Sequence, residues 1–165
     1  MELNPILLEQ YPDALNRAVA MLAARPCSRQ EIEQRLTRRK FDPEVISMVL
    51  YKLEREGLLN DREFSDLWVQ SRSKKYGPAR LRQELRMKGV EEETARSALG
   101  QFSEEDQLAR ATGQAEKKLR TIKPGTEPRK VFQQVTSFLV RRGFSWNIAK
   151  QAFQAASDST DDFEE

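Results

Sequence analysis

The sequence predicts an all-α protein of three tandem three-helix repeats, with about nine helices in all. Two observations lead to this class. One apolar phrase recurs three times at helical spacing, and no stretch alternates apolar and polar residues for long enough to form a strand. Repeats of this size are typical of arrays of small helical units and not of one compact enzyme core.

The repeated phrase is an aliphatic residue, a second one four positions later and a third apolar residue five positions after that. The step of four places the first two residues on one helix face. The step of five crosses a Gly or a basic residue, which is typical of a helix end followed by a new helix. The copies are 49 and then 54 residues apart. Their residues are Ile32, Leu36 and Phe41; Leu81, Leu85 and Val90; and Val135, Leu139 and Phe144.

The first repeat is predicted over residues 13–59. Pro5 and Pro12 predict an irregular N-terminal segment over residues 1–12, after which Asp13 is the expected N-cap of the first helix.

The next two helices of this repeat have clear start signals. Ser28 and Glu31 form a Ser-x-x-Glu capping box. Asp42 and Pro43 open the third helix as N-cap and first-turn proline, and Gly57 ends it.

The second repeat, residues 60–102, follows the same order. Asn60 or Asp61 caps its first helix, and Gly77-Pro78 interrupts the chain before the second. Gly89 ends that second helix, and carboxylates follow at the start of the third.

The third repeat, residues 103–156, contains a loop of strong helix breakers over residues 123–128, and Gly143 ends its second helix. The acidic remainder, residues 157–165, is predicted to be disordered. Two interpretations of this tail stay open. It is either a solvating segment or a segment that competes with polyanions for the basic parts of the chain.

The composition is that of a chain with small cores and much exposed surface. Of 165 residues, 38% are apolar and 33% are charged. No apolar run approaches the ~20 residues of a membrane span, and the N-terminus lacks the features of a signal peptide. Cys27 is the one cysteine, which excludes an internal disulfide. A reducing cytoplasm fits these features best. We also expect the protein to be a monomer.

The net charge of +2 conceals two basic blocks. Residues 72–88 contain seven Lys or Arg and one Asp or Glu, and residues 110–142 contain nine and two. Residues 1–71, in contrast, contain ten Lys or Arg and twelve Asp or Glu. This patterning predicts a polyanionic partner better than the overall charge does.

The residue types that carry most enzyme chemistry are missing. The chain has no histidine and a single cysteine, and it lacks the glycine-rich motifs that bind nucleotide phosphates. Acidic runs at residues 91–93 and 104–106 fall at predicted helix starts, where the helix dipole stabilises carboxylates. The sequence therefore predicts a protein that is not an enzyme and uses no metal or cofactor.

The first basic block is the sharpest candidate for a binding site. Pro78 fixes the first turn of a helix whose free N–H groups point back towards Tyr76, a position suited to a phosphate or a carboxylate. Arginine can fork onto either group. One acid in the block leaves most of its cations without a local partner. The candidate residues are Arg72, Lys74, Lys75, Tyr76, Arg80, Arg82, Arg86 and Lys88.

Four further candidates lie in the second basic block: Arg129, Lys130, Arg141 and Arg142. For the last two, an interaction with the C-terminal end of a helix dipole explains the charge equally well. Trp68 and Trp146 are predicted to pack in the core or between repeats instead of stacking on bases.

Several stretches resemble the RecX family of bacterial recombinase regulators. They are Ser28-x-x-Glu31-Ile32-x-x-x-Leu36; Leu53-x-x-x-Gly57-Leu58-Leu59-Asn60-Asp61-x-x-Phe64-x-x-x-Trp68-Val69-x-x-Arg72; Tyr76-Gly77-Pro78-x-x-Leu81-Arg82-x-Glu84-Leu85-x-x-Lys88-Gly89-Val90; and, more loosely, Phe138-Leu139-x-x-Arg142-Gly143-Phe144. The acidic C-terminal extension is not part of the family pattern.

The resemblance implies tandem three-helix repeats in an elongated, curved array without enzymatic activity. It implies a regulatory protein that binds the RecA recombinase and lies in the groove of its nucleoprotein filament. Such proteins usually inhibit strand exchange, ATP hydrolysis and co-protease activity, which limits recombination and the SOS response. Some also bind single- or double-stranded DNA, and the sign and strength of the effect vary.

Two other classes stay open. Three-helix units with basic helices can resemble helix-turn-helix modules, so the protein could bind DNA without a recombinase. Base readout needs suitable side chains along one exposed helix face, and Gln83 lies on a different face from Arg82 and Arg86. The third class is an adaptor for another protein.

Overall fold

A computed structural model describes residues 4–161, and within this range it contains nine α-helices and no strand. The all-α prediction is therefore confirmed. None of these helices is long and apolar enough to cross a membrane. The helices are α1 (Pro5–Ala24), α2 (Arg29–Arg38), α3 (Pro43–Arg55), α4 (Asp61–Arg72), α5 (Pro78–Met87), α6 (Glu92–Leu99), α7 (Glu104–Leu119), α8 (Pro128–Arg141) and α9 (Trp146–Asp161).

The chain forms two compact units. Unit 1 comprises the residues up to Trp68 together with Leu85–Ala95, and unit 2 comprises Val69–Glu84 together with the chain from Arg96 onward. The helices α4, α5 and α6 therefore each contribute residues to both units. The predicted limits of the three repeats do not follow this division and stay a prediction.

Unit 1 has its core between α1, α2 and α3. Ile32 and Leu36 of α2 are fully buried, as are Val45 and Leu53 of α3, and Ala18 lets α1 approach them closely. Full burial of one such aliphatic side chain contributes roughly 1.5–3 kcal/mol, so this apolar cluster is the main source of stability in unit 1.

Unit 2 has a core in which small residues set the helix spacing. Ala111 and Ala115 on α7 are buried together with Ala149, Ala152 and Ala156 on α9. Alanine side chains allow two helix backbones to approach closely, and the larger residues Val135, Leu139 and Phe144 complete the cluster.

Most of the predicted helix starts are confirmed. The Ser28 hydroxyl accepts a hydrogen bond from the Glu31 N–H at 3.3 Å, and the Glu31 carboxylate accepts one from the Ser28 N–H at 3.0 Å, which completes the capping box. Asp42 caps α3 through the Glu44 N–H at 2.9 Å. Asn60 caps α4 in the same way.

The predicted irregular segment over residues 1–12 is wrong for residues 5–12. Asn4 caps a helix that starts at Pro5, and Pro12 lies inside α1, so the helix does not begin at Asp13. An interior proline removes one backbone hydrogen bond. Burial of Leu7 on the same face as Ala14 offsets this loss. An apolar pattern counted only from Asp13 onward does not include Leu7 and so misses the first part of the helix. Residues 1–3 lie outside the described range.

The predicted disorder of the acidic tail is wrong for residues 157–161, because α9 continues to Asp161. The hydroxyls of Ser157, Ser159 and Thr160 each donate to the carbonyl four residues earlier, at 2.9, 2.9 and 2.7 Å. Ala156 is fully buried and anchors this last part of the helix. The rest of the predicted tail, residues 162–165, lies outside the described range.

The three copies of the apolar phrase end in the same turn. The residue before the third apolar position has a positive φ in every copy: 63° at Lys40, 75° at Gly89 and 96° at Gly143. The next N–H then bonds the carbonyl five residues back, at 3.3 Å for Phe41, 3.1 Å for Val90 and 3.2 Å for Phe144. Together with the bond from the positive-φ residue to the carbonyl three residues back, this is a Schellman turn.

Burial agrees with the repeated phrase. Eight of its nine apolar residues are buried, and the ninth, Phe41, is partly buried against the unit 1 core. The phrase thus marks a helix end together with the apolar contacts that the end makes.

We expect Lys40→Gly to stabilise the protein by about 1 kcal/mol, because Lys40 is the one non-glycine residue with positive φ among residues 4–161. Urea denaturation followed by circular dichroism measures the change. Lys40→Ala is the matched control, since it removes the same side chain without relieving the backbone. Equal stabilities of the two variants would contradict a strained turn.

We expect Gly143→Ala to destabilise the protein by about 2 kcal/mol or more. A β-carbon at Gly143 would lie 2.5 Å from Cβ and N of Arg80, in a backbone conformation that alanine disfavours. Gly113→Ala is the control: a β-carbon there meets no atom within 4 Å, so it should stabilise α7 slightly. A Gly143→Ala variant as stable as the wild type would show that neither the contact with Arg80 nor the positive φ restricts this position to glycine.

Candidate functional site

The centre of the first basic block is a single aromatic ring covered by cations. The guanidinium carbon of Arg80 lies 4.3 Å from the centre of the Tyr76 ring, that of Arg72 lies 4.6 Å away, and that of Arg142 lies 5.1 Å away. A cation over an aromatic face is attracted by the ring quadrupole. The structure therefore joins residues from both basic blocks around Tyr76.

Glu84 binds two of these arginines. Arg72 donates from Nε at 2.7 Å and from Nη2 at 2.9 Å, which is a bidentate fork, and Arg80 donates from Nε at 3.2 Å. The hydrogen bonds to Glu84 raise the pKa of Arg72. We call Tyr76, Arg72, Arg80, Arg142 and Glu84 the Tyr76 cluster. Its three guanidiniums and one carboxylate leave it with an excess of positive charge.

The backbone fixes the Tyr76 cluster in place. The Gly77 N–H donates to the Arg142 carbonyl at 2.8 Å, and the Ala79 N–H donates to the Gly143 carbonyl at 3.2 Å. A side chain at Gly77 would collide with this turn, because its β-carbon would lie 2.5 Å from backbone atoms of Gly143.

These bonds correct one prediction from the sequence. The sequence predicts that the start of α5 offers free N–H groups to a phosphate or carboxylate. Two N–H groups at this point, those of Gly77 and Ala79, already bond the turn between α8 and α9. Sequence reasoning could not find this, because the acceptors lie more than sixty residues away in the chain.

The exposed cations next to the Tyr76 cluster are Lys74, Lys75 and Arg141. None of the three forms an ion pair with another residue between 4 and 161. The loop that carries the lysines is nevertheless ordered, since the Lys74 carbonyl accepts a hydrogen bond from Gln114 Nε2 at 3.1 Å. The Ser73 hydroxyl before them contacts Arg110. The backbone that carries these lysines is thus anchored, while their side chains are exposed.

The remaining candidates are distributed elsewhere. Arg129 and Lys130 are exposed in the first turn of α8, whereas Arg141 ends the same helix. At a rise of 1.5 Å per residue, the two ends of the helix lie roughly 17 Å apart. The structure does not bring these two groups together.

On α5, Arg82 and Arg86 are exposed, and Arg86 makes no ion pair among the described residues. Lys88 is different, because it pairs with Glu31 and lies 5.1 Å from the Trp68 ring centre in unit 1. Lys88 therefore contributes to the packing of unit 1.

The tryptophans also differ from each other. Trp68 is partly buried and packs on Phe64, with ring centres 5.7 Å apart. Trp146 is 54% exposed and meets the Phe132 ring edge-on at 6.0 Å. Of its two predicted places, in the core or between repeats, the first is therefore wrong. Trp146 sits at the first position of α9, where the side chain has little of the helix bundle to cover it.

Two residues that organise this site were missed from the sequence. Glu84 is the one acid in residues 72–88, and that isolation was the available signal for a structural ion pair. Gln114, which holds the lysine loop, carries no such signal, because its role depends on a contact across forty residues.

Family models match the chain in succession. The model for the first three-helix domain of RecX matches residues 14–53, that for the second matches residues 60–99, and that for the third matches residues 104–153. These matches cover most of the chain in the order expected for the family.

Individual relatives agree with the models. The chain is 35% identical over 143 residues to regulatory protein RecX of Amycolatopsis mediterranei, covering 86% of this chain and 81% of the relative. For the protein of the same name from Prosthecochloris aestuarii, identity is 38% over 140 residues, with 84% and 89% covered. The Bacillus subtilis protein is 33% identical over 159 residues, covering 93% of this chain, which spans only 60% of that longer relative.

Solved structures share the fold. A crystal structure of RecX from Lactobacillus salivarius superposes with a TM-score of 0.82 at 22% identity, covering 91% of this chain and 98% of the other. A second crystal structure, of a regulatory protein RecX, superposes with a TM-score of 0.80 at 26% identity, covering 90% of this chain and 73% of the other. The sequence matches and the shared helical fold lead to the same conclusion: the chain belongs to the RecX family of regulatory proteins.

Proposed function

We propose that this protein binds the RecA recombinase and the filament that RecA forms on DNA. Binding inhibits the ATPase, strand-exchange and co-protease activities of the filament and so limits recombination and the SOS response. The observation that carries this proposal is the match of all three helical domains, in order, to a family of regulatory proteins.

The exposed cations beside the Tyr76 cluster support a polyanionic partner. Lys74, Lys75 and Arg141 have no ion pair among residues 4–161, and the backbone under the lysines is anchored. A recombinase filament combines DNA phosphates with protein side chains, and unpaired cations gain most from such a surface. Arg72 and Arg80 support the site differently, because Glu84 already engages both.

The tandem arrangement of domains adds a second physical argument. Several weak contacts on one chain act at a high effective concentration once the first contact has formed. Binding to a filament, which repeats its binding surface, should therefore be much stronger than binding to one recombinase molecule.

The deciding experiment is retention of purified RecA by the immobilised full chain. Three mixtures are compared: RecA alone, single-stranded DNA alone, and both together with a slowly hydrolysed ATP analogue. Retention that requires RecA, DNA and the analogue together supports the proposal. Equal retention of DNA without RecA, with a steep dependence on salt, would instead make this a DNA-binding protein that needs no recombinase.

We expect Lys74→Glu/Lys75→Glu to weaken inhibition of the DNA-dependent ATPase of RecA by about tenfold or more, because the change reverses two exposed charges at the proposed contact. The measurement is the concentration of this protein that halves the ATPase rate.

The matched control for this variant is Arg55→Glu/Arg62→Glu. It changes the net charge by the same amount at two exposed positions of unit 1. Its half-inhibitory concentration should stay within about twofold of the wild type, because neither residue belongs to the proposed contact at Lys74 and Lys75 and salt screens long-range effects of net charge. If both double variants lost inhibition equally, the effect would come from net charge alone, and this would contradict a local contact at Lys74 and Lys75.

We expect Glu84→Gln to lower the free energy of unfolding by about 1–2 kcal/mol, because it removes the carboxylate that Arg72 and Arg80 share in a half-buried site. Urea denaturation measures the loss, and inhibition of the folded variant at 25 °C should persist. Glu33→Gln is the control, since its ion pair with Arg29 is exposed and should contribute about 0.5 kcal/mol or less. Lost inhibition at unchanged stability would instead place Glu84 in direct contact with the partner.

A further inference from the structure

Unit 1 contains a half-open cleft of about 550 Å³. The end of α1, one face of α2 and the residues that end α5 form its walls. Pockets that bind small molecules range from about 300 to 1,000 Å³, so the cleft has a suitable size.

The cleft is basic, although residues 1–71 as a whole are acidic. Its lining includes four cations, Arg25, Arg35, Arg38 and Lys88, and a single carboxylate, Glu31. The sequence conceals this concentration of charge, because Lys88 comes from a distant segment and the arginines are interspersed with acids in the chain.

The carboxylate in the cleft is already engaged. Glu31 accepts hydrogen bonds from the Ser28 N–H at 3.0 Å, from Lys88, and from Arg25 at 3.5 Å. Burial by itself would raise the pKa of Glu31, but the hydrogen bonds from Lys88 and Ser28 outweigh it and lower that pKa. Glu31 therefore stays ionised and balances Lys88.

Two arginines of the cleft have no such partner. Arg35 and Arg38 are exposed, one turn apart on α2, and make no ion pair with any residue from 4 to 161. The end of α5 is anchored to α2 beside them, because Gln30 Nε2 donates to the Met87 carbonyl at 3.1 Å and the Ser28 hydroxyl donates to the Lys88 carbonyl at 2.8 Å.

We propose that this cleft binds a compact polyphosphate, of the nucleoside triphosphate class. The guanidiniums of Arg35 and Arg38 supply forked donors for phosphate oxygens, and Arg25 adds a further cation at the wall. Met21 and Met87 line the cleft with apolar surface that suits a base. Walls on three sides suit a compact ligand better than a continuous nucleic-acid strand, which needs an open groove.

The test uses the full chain without RecA. Isothermal titration calorimetry compares ATP, inorganic triphosphate and adenosine in the same buffer. We expect ATP and triphosphate to bind at one site, ATP more tightly because of its base, and adenosine to show no binding. Absence of heat from both phosphates at millimolar concentration would overturn the proposal.

Variants locate the site. Arg35→Gln/Arg38→Gln should weaken ATP binding by about tenfold or more, because each charge-assisted contact contributes substantially to affinity. Arg35→Lys/Arg38→Lys keeps the charge but loses the forked geometry, so it should lie between this variant and the wild type. Both should retain the circular dichroism spectrum, because the two side chains are exposed.

Arg129→Gln/Lys130→Gln is the matched control, since it removes the same charge from exposed positions in unit 2. It should change ATP affinity less than twofold, and an equal loss would show non-specific attraction. A different outcome would make the cleft a nucleic-acid site instead. In that case the wild type binds a single-stranded oligonucleotide but no ATP, and Arg35→Gln/Arg38→Gln weakens binding of the oligonucleotide. Inhibition of RecA by this variant is measured separately, so the two proposals stand or fall independently.

Discussion

A Schellman turn closes each of the three copies of the apolar phrase, and the helix ends and the packing around them rely on it. It ends α2, α5 and α8 with a residue of positive φ, at Lys40, Gly89 and Gly143. The hydrogen bond that closes each turn also places an apolar residue against the core, which couples the local geometry to burial. A change of φ at one residue would therefore disturb both the helix end and the packing that follows it.

The carbonyls around two of these turns organise the two candidate sites. The turn after α8 accepts hydrogen bonds from the start of α5, which holds Tyr76 among its arginines. The turn after α5 accepts hydrogen bonds from Ser28 and Gln30, and these close one wall of the cleft in unit 1. Backbone geometry thus decides which side chains meet, and the cations add the chemistry.

The structure separates the cations of the first basic block by role. Arg72 and Arg80 are engaged by Glu84, and Lys88 is engaged by Glu31. Lys74 and Lys75 have no ion pair among residues 4–161 and lie on an anchored loop. A count of charged residues over residues 72–88 treats all of these cations alike, because it registers only which residue types are present in that stretch. Whether a cation is available to a partner depends instead on the acid that the fold brings next to it.

The helical class, the repeated phrase and most helix starts could be predicted from the sequence, because caps, helix-ending glycines and apolar spacing act within a few residues. Prediction failed at both ends of the chain, where burial of Leu7 and Ala156 extends helices past a proline and into a polar segment. The folded structure was needed to show which charges are paired, that the start of α5 is closed by another turn, and that an acidic region contains a basic cleft. These features join residues tens of positions apart, and local sequence patterns carry no information about such distances.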